Sequence, residues 1–194
     1  MIEKIGLKRV MFLLVSMSLS GCFSPSYSDK YVSSDPSEFK QYQQETKDRP
    51  SPAARENLKF GKSKVYLTYS QPGVKGRTIW GDLVKYDEIW RTGANEATVL
   101  SSDTDLLVQG DTLKAGNYAL YTIPGRLKWT VILNKKYDVW GAYDYDITKD
   151  ALRFEVYSYR LDKTEERMKF FIDDTGEVKF AWENIGFKFY IMPI

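Results

Sequence analysis

The chain has 194 residues, with 28 basic and 26 acidic side chains, one cysteine and no histidine. At about 100–200 residues per domain this is one domain with extensions, and a core of that size folds without covalent staples. The lack of histidine excludes Ser-His-Asp and Cys-His nucleophilic machinery and histidine-ligated zinc, while a single cysteine excludes an intramolecular disulfide, a cysteine-rich metal knuckle and a CxxC redox pair.

Lys4, Lys8 and Arg9 open the chain with positive charge, and residues 10–19 form a short apolar run. Ten residues rise about 15 Å as a helix, half of a hydrocarbon core of roughly 30 Å, so the run does not span a membrane. A charged start, a short apolar stretch and small residues ahead of a cut site read as a secretory signal over residues 1–21. Leu19-Ser20-Gly21-Cys22 resembles a bacterial lipobox, which implies cleavage before Cys22 and lipidation of that cysteine. Two or more acyl chains anchor stably where one does not. The bland alternative is a free cysteine that follows a signal peptide. Phe23 stands where an aspartate would favour inner-membrane retention, which points to a lipid anchor in the bacterial outer membrane, in either leaflet.

Removing residues 1–21 takes three basic and one acidic side chain from 28 and 26, leaving 25 of each. No cluster of Lys or Arg survives to meet phosphate backbones, so nucleic acid is not an expected partner. Residues 22–56 read as the lipidated cysteine and a flexible tether, rich in Ser, Pro, Gln, Lys, Asp and Glu. Such a coil spans roughly 30–35 Å. A helix is open within it, with Asp35 as N-cap, Pro36 at the first position, and Phe39 and Tyr42 on one side. An isolated helix so short is marginal, and a solvated spacer is the preferred reading.

Residues 57–194 read as a single β domain. Period-two alternation and β-forming residues mark strands at 64–69, 97–101, 106–109, 117–123, 128–134, 151–159, 167–172, 178–183 and 187–192. Turn residues punctuate them, among them Gln71-Pro72-Gly73, Gln109-Gly110-Asp111, Pro124-Gly125, Asp173-Asp174-Thr175-Gly176 and Asn184-Ile185-Gly186. Trp129, Val131 and Leu133 share one face of their strand, as do Val178, Phe180 and Trp182. About nine strands with no long amphipathic helix predict an all-β fold, an antiparallel β-sandwich or jelly-roll-like barrel.

Several stretches are distinctive. Residues 69–81 read Tyr-Ser-Gln-Pro-Gly-Val-Lys-Gly-Arg-Thr-Ile-Trp-Gly. Tyr86, Trp90-Arg91-Thr92-Gly93-Ala94-Asn95-Glu96-Ala97-Thr98, Leu113-Lys114-Ala115-Gly116-Asn117-Tyr118, Trp129-Thr130-Val131-Ile132, Trp140-Gly141-Ala142 and Trp182-Glu183-Asn184 follow in order. In these the chain resembles the bacterial family catalogued as domain of unknown function 2911, over about residues 50–192. Other members often carry Leu-Pro-Ala-Gly where this chain has Leu113-Lys114-Ala115-Gly116, a swap that costs turn rigidity but keeps the turn. The resemblance implies a secreted or lipid-anchored protein and leaves activity open.

Residues 77–96 are the candidate site, because irregular segments on a rigid β scaffold are where binding groups sit. The expected binding residues are Arg77, Trp80, Trp90, Arg91, Asn95 and Glu96. Arginine forks to carboxylate or phosphate, Asn and Glu hold hydroxyls, and indoles stack on a sugar. The competing reading is structural: Trp80 and Trp90 seal one end of the fold, and Arg91 pairs with Glu96 or Asp82. No catalytic residue is assigned. Two carboxylates about 5–9.5 Å apart cleave glycosidic bonds, and Glu96, Glu183 and Asp82 are the candidates for such a pair. Asp144, Asp146, Thr148 and Glu155 imitate part of a calcium loop, but Lys149 stands where that loop needs glycine, so no metal site is expected. Tyr66, Tyr69, Tyr118, Tyr121, Tyr157 and Tyr159 read as packing pairs rather than a stacking platform. No Gly-rich phosphate loop or dinucleotide fingerprint is present, and no cofactor is expected.

These features predict an exported, membrane-anchored lipoprotein that binds a small polar ligand, a glycan or an envelope partner without catalysis. The alternatives are a carboxylate-based hydrolase of an envelope or extracellular glycan, and a purely structural envelope protein. The last predicts no pocket, but an exposed apolar patch or an open strand edge.

Overall fold

A computed structural model describes residues 29–194; the signal segment, the lipobox and Cys22 lie outside the described residues. Two helices, α1 (Asp29–Val32) and α2 (Pro36–Thr46), precede nine strands. The strands are β1 (Ala53–Phe60), β2 (Ser63–Ser70), β3 (Thr98–Ser102), β4 (Leu106–Val108), β5 (Asp111–Leu113), β6 (Gly116–Ile123), β7 (Lys128–Asn134), β8 (Asp150–Ile172) and β9 (Glu177–Pro193). They form one antiparallel sheet in the order β1-β2-β3-β6-β7-β8-β9-β4-β5. The fold is all-β.

The layers come from one sheet bending over its own core rather than from two separate sheets. β8 pairs with β7 through its first residues and with β9 from Ser158 to Ile172. The end of β9 in turn pairs with β4, Leu106 opposite Pro193. Side chains from β1 to β4, β6 to β9 and the end of β5 meet in one buried cluster, with Trp129, Trp182, Phe180 and Phe187 among its largest members. The expected inward sets, Trp129-Val131-Leu133 and Val178-Phe180-Trp182, are buried there.

Several expected boundaries change. The strands at 151–159 and 167–172 are one strand, β8, and those at 178–183 and 187–192 are β9. Asn184-Ile185-Gly186 is therefore not a turn. Glu183 takes the left-handed region at φ 53°, and the buried set shifts from even positions through Trp182 to odd positions from Phe187. The ladder is irregular here, Arg160 pairing Ile185 but Glu165 pairing Glu183, so that β8 carries extra residues and the strands bend without ending. The sheet also begins earlier than residue 57: β1 starts at Ala53 but buries only Ala53 and Leu58, so its alternation is too weak to announce a strand.

The spacer reading of residues 22–56 does not hold for residues 29–56. Asp35 caps α2, its carboxylate accepting from Ser37 N–H at 2.8 Å, and Pro36 takes the first position where no N–H is needed. The helix is not isolated, which removes the objection to it. Tyr31, Phe39 and Tyr42 bury themselves against Ala53 and Val99 in a cluster separate from the main core. The Arg55 guanidinium, 3.7 Å from the Phe39 ring centroid, donates to Tyr31 O and Ser33 O. Among the described residues no helix is long and apolar enough to cross a membrane.

Candidate functional site

The segment between β2 and β3 lies along the sheet and is stitched to it by isolated bridges. Gly73 bridges Arg167, Trp90 bridges Thr122 and Glu96 bridges Trp140. Trp90 and Thr122 exchange both main-chain bonds, at 2.8 and 2.9 Å, where β6 runs on beyond β3. This anchoring places the first half of the segment beside the bend of β8 and β9.

A cleft of about 630 Å³ opens there. Arg77, Trp80 and Tyr86 line it from the loop, Arg126 and Leu127 from the β6–β7 turn, Tyr159 and Arg160 from β8, and Glu183 and Asn184 from β9. Two glycines set the aromatic walls. Gly81 holds φ 86°, and a Cβ there would stand 3.1 Å from the Tyr86 ring. Gly186 faces Tyr159 across the β8–β9 ladder, and any Cβ would lie 2.8 Å from that ring. A side chain at either position would displace a cleft residue.

Trp80 joins the cleft to the core. Its ring meets Trp129 edge-on at 5.0 Å and Trp182 at 5.8 Å, while Trp90 stacks on Trp182 at 5.8 Å and 20°. Trp90 is thus part of the aromatic packing and does not line the cleft. The indole N–H groups of Trp80, Trp129 and Trp182 are buried without an acceptor.

The cleft is rich in positive charge. Among the described residues, Arg77, Arg126 and Arg160 make no ion pair, and Glu183 is the one carboxylate in the lining. Arg77 also braces its own loop, donating to Val74 O at 3.1 Å and Gly73 O at 2.6 Å. The Arg126 guanidinium lies 4.9 Å from the Tyr86 ring centroid. Glu183 Oε2 accepts from Asn184 N–H at 2.8 Å.

The second half of the segment goes elsewhere. Glu96 is 1% exposed, and its Oε1 accepts from the Tyr42 hydroxyl and from Arg49 Nη1, the latter at 2.9 Å. Burial and then the bond to Glu96 raise the Tyr42 pKa, keeping that hydroxyl a donor. Asn95 Nδ2 donates to Ser51 O at 3.0 Å. Arg91 makes no ion pair with Glu96 or Asp82; its Nε is buried without an acceptor, and burial lowers its pKa. Asp82 is exposed, 3.8 Å from Lys85.

Of the expected site residues, then, Arg77, Trp80 and Glu183 share the cleft; Arg91, Asn95 and Glu96 do not. Of Glu96, Glu183 and Asp82, Glu183 alone lines the cleft; Glu96 is bonded to Tyr42 and Arg49, and Asp82 stands near Lys85. Three of the four acidic residues of 144–155 are engaged one by one: Asp146 caps the 3-10 turn at Thr148, Asp150 accepts from Asn134 and Tyr145, and Glu155 pairs with Lys128. Arg126, Tyr159, Arg160 and Asn184 were missed as site residues. Tyr159, Arg160 and Asn184 reach the cleft through pairing of β8 with β9, and Arg126 through the β6–β7 turn; Gly186, opposite Tyr159, is the strand position that leaves room for that ring.

A family model described as Protein of unknown function (DUF2911) matches residues 51–191. No curated protein and no solved structure matches the chain. Both helices lie ahead of the matched span.

Proposed function

This chain belongs to the DUF2911 family, and we propose that it is an exported, lipid-anchored binding module whose cleft takes a small acidic ligand, such as an acidic sugar of a glycan. The observation that carries this reading is the set of three arginines, without carboxylate partners among the described residues, around one cleft that Trp80 also lines. A guanidinium in a concave site attracts an anion and forks to a carboxylate, while Trp and Tyr faces pack on the apolar faces of a sugar ring. The volume falls in the range of about 300–1,000 Å³ that serves small ligands. With Glu183 as the single lining carboxylate among the described residues, the geometry favours binding over glycosidic hydrolysis, which needs a pair.

The test is thermal unfolding with uronic acids, their oligomers and neutral hexoses. A ligand at 100 times its Kd stabilises by about 2.7 kcal/mol, a shift of roughly 5–10 °C for a domain of this size. Acidic sugars should give that shift, and Arg160→Ala should remove it. A shift with neutral hexoses alone would overturn the acidic-ligand reading. The anchor is tested separately by fatty-acid labelling in cells, which Cys22→Ser should abolish.

A further inference from the structure

The buried carboxylate of Glu96 is served from outside the matched domain. Tyr42 lies on α2 and Arg49 two residues beyond the α2 C-cap at Lys47, whereas the family match begins at residue 51. Both donors use Oε1; Oε2 is buried and has no partner among the described residues. A carboxylate with 1% exposure is costly to desolvate and needs donors. Here the domain holds the acceptor and a separate segment brings the donors.

Trp140 completes the slot. It bridges Glu96 on the neighbouring backbone, and the Arg49 guanidinium carbon stands 5.9 Å from its ring centroid and 5.7 Å from that of Tyr42. A carboxylate beside an indole face combines a charge-assisted hydrogen bond with a cation–π contact, the chemistry that recognises a guanidinium. Asn95 adds an amide that takes the main-chain carbonyl of Ser51. Side chain and backbone of one arginine-bearing segment are both read.

That segment packs apart from the main core. Phe39 and Tyr42 on α2, with Tyr31 on α1, pack with Ala53 and Val99 and not with the main cluster. Elements held this way open at lower free energy than the core they rest on.

We propose that Glu96, Trp140 and Asn95 form a recognition site for an arginine carried on a peptide, and that residues 36–51 are a releasable strap filling it in cis, displaced by a peptide of the same chemistry in trans. The site is distinct from the cleft and does not depend on the cleft's ligand.

The probe is a fluorescent peptide with the sequence of residues 36–51, titrated into the full chain and followed by anisotropy. In Tyr42→Phe/Arg49→Gln the strap loses its bonds to Glu96. The peptide should then bind at least about ten-fold tighter than to the unaltered chain, because more of the protein is competent to receive it. Adding Glu96→Gln should abolish that gain, as should glutamine in place of the peptide's arginine. Hydrogen exchange on the unaltered chain is a second measurement that needs no variant: α2 amides should exchange by local opening, faster than those of β6 and β7. The proposal is overturned if α2 exchanges only together with those strands. It also fails if the strap-weakened chain keeps its near-UV circular dichroism and does not bind the peptide.

Discussion

Residues 77–86 and residues 90–96 carry the same kinds of side chain, arginine, tryptophan and carboxylate, yet the fold uses them in opposite ways. The first half lines an open cleft, which Arg77 shares with Arg126 and Arg160, none of them in an ion pair among the described residues. The second half turns inward: Trp90 stacks on Trp182, and Glu96 is sealed beneath Tyr42 and Arg49. Residue type therefore does not separate a binding group from a bracing one. What separates them is whether the partners come from the same chain.

Removing the shared support should break the distinction altogether. Trp182→Ala takes away the ring that Trp80 meets and Trp90 stacks on, and should cost about 3–5 kcal/mol in chemical denaturation, disturbing both halves. Glu96→Ala should touch only the second half. It leaves Arg49 and Tyr42 without their acceptor, but Arg49 is 37% exposed and reaches water, so about 1–3 kcal/mol is expected. A cleft substitution, Arg160→Ala, should stay within about 0.5 kcal/mol and act on ligand affinity. If Arg160→Ala destabilised more than Glu96→Ala, the division between an open and a braced half would fail.

Acid sensitivity sharpens the same comparison from a third place. Hydrogen bonds from Tyr190, then Lys179 and Lys188, hold the Glu177 carboxyl down at about 2, against an ordinary 4.5. A carboxyl lower in the fold than in the unfolded chain adds stability above the unfolded value. That stability is lost as pH falls through 4.5 toward 2. Glu177→Gln should flatten stability across that window and leave both halves of the loop as they are. The smallest effect belongs to Asp82→Asn, exposed and only 3.8 Å from Lys85, which should change neither stability nor binding measurably.

Much of the sheet was legible because its interior alternates. Trp129-Val131-Leu133 and Val178-Phe180-Trp182 announce a buried face by period alone. What stayed hidden depends on contacts distant in sequence. β1 is half polar and becomes a strand by pairing with β2, Ala53 opposite Ser70. Helix α2 carries correct cap signals, but its stability comes from Ala53 and Val99, which no local window contains. The site divided for the same reason. Residues 77–96 read as irregular and polar from sequence alone. Their neighbours Arg126, Tyr159 and Arg160, and the cover supplied by Tyr42 and Arg49, come from four other elements of the chain.

The pairing of β9 with β4 bears on the order in which the molecule assembles. β4 lies mid-chain, yet one of its edges is satisfied by Ile191, Met192 and Pro193, and Ile194 N–H donates to Asp105 O at 2.9 Å. That corner cannot close until residues 191–194 have been synthesised. Closure is a long-range event, of the kind that makes β-rich domains slow to fold. Until it occurs, the β4–β5 hairpin and β9 each present a bare edge open to pairing with another chain.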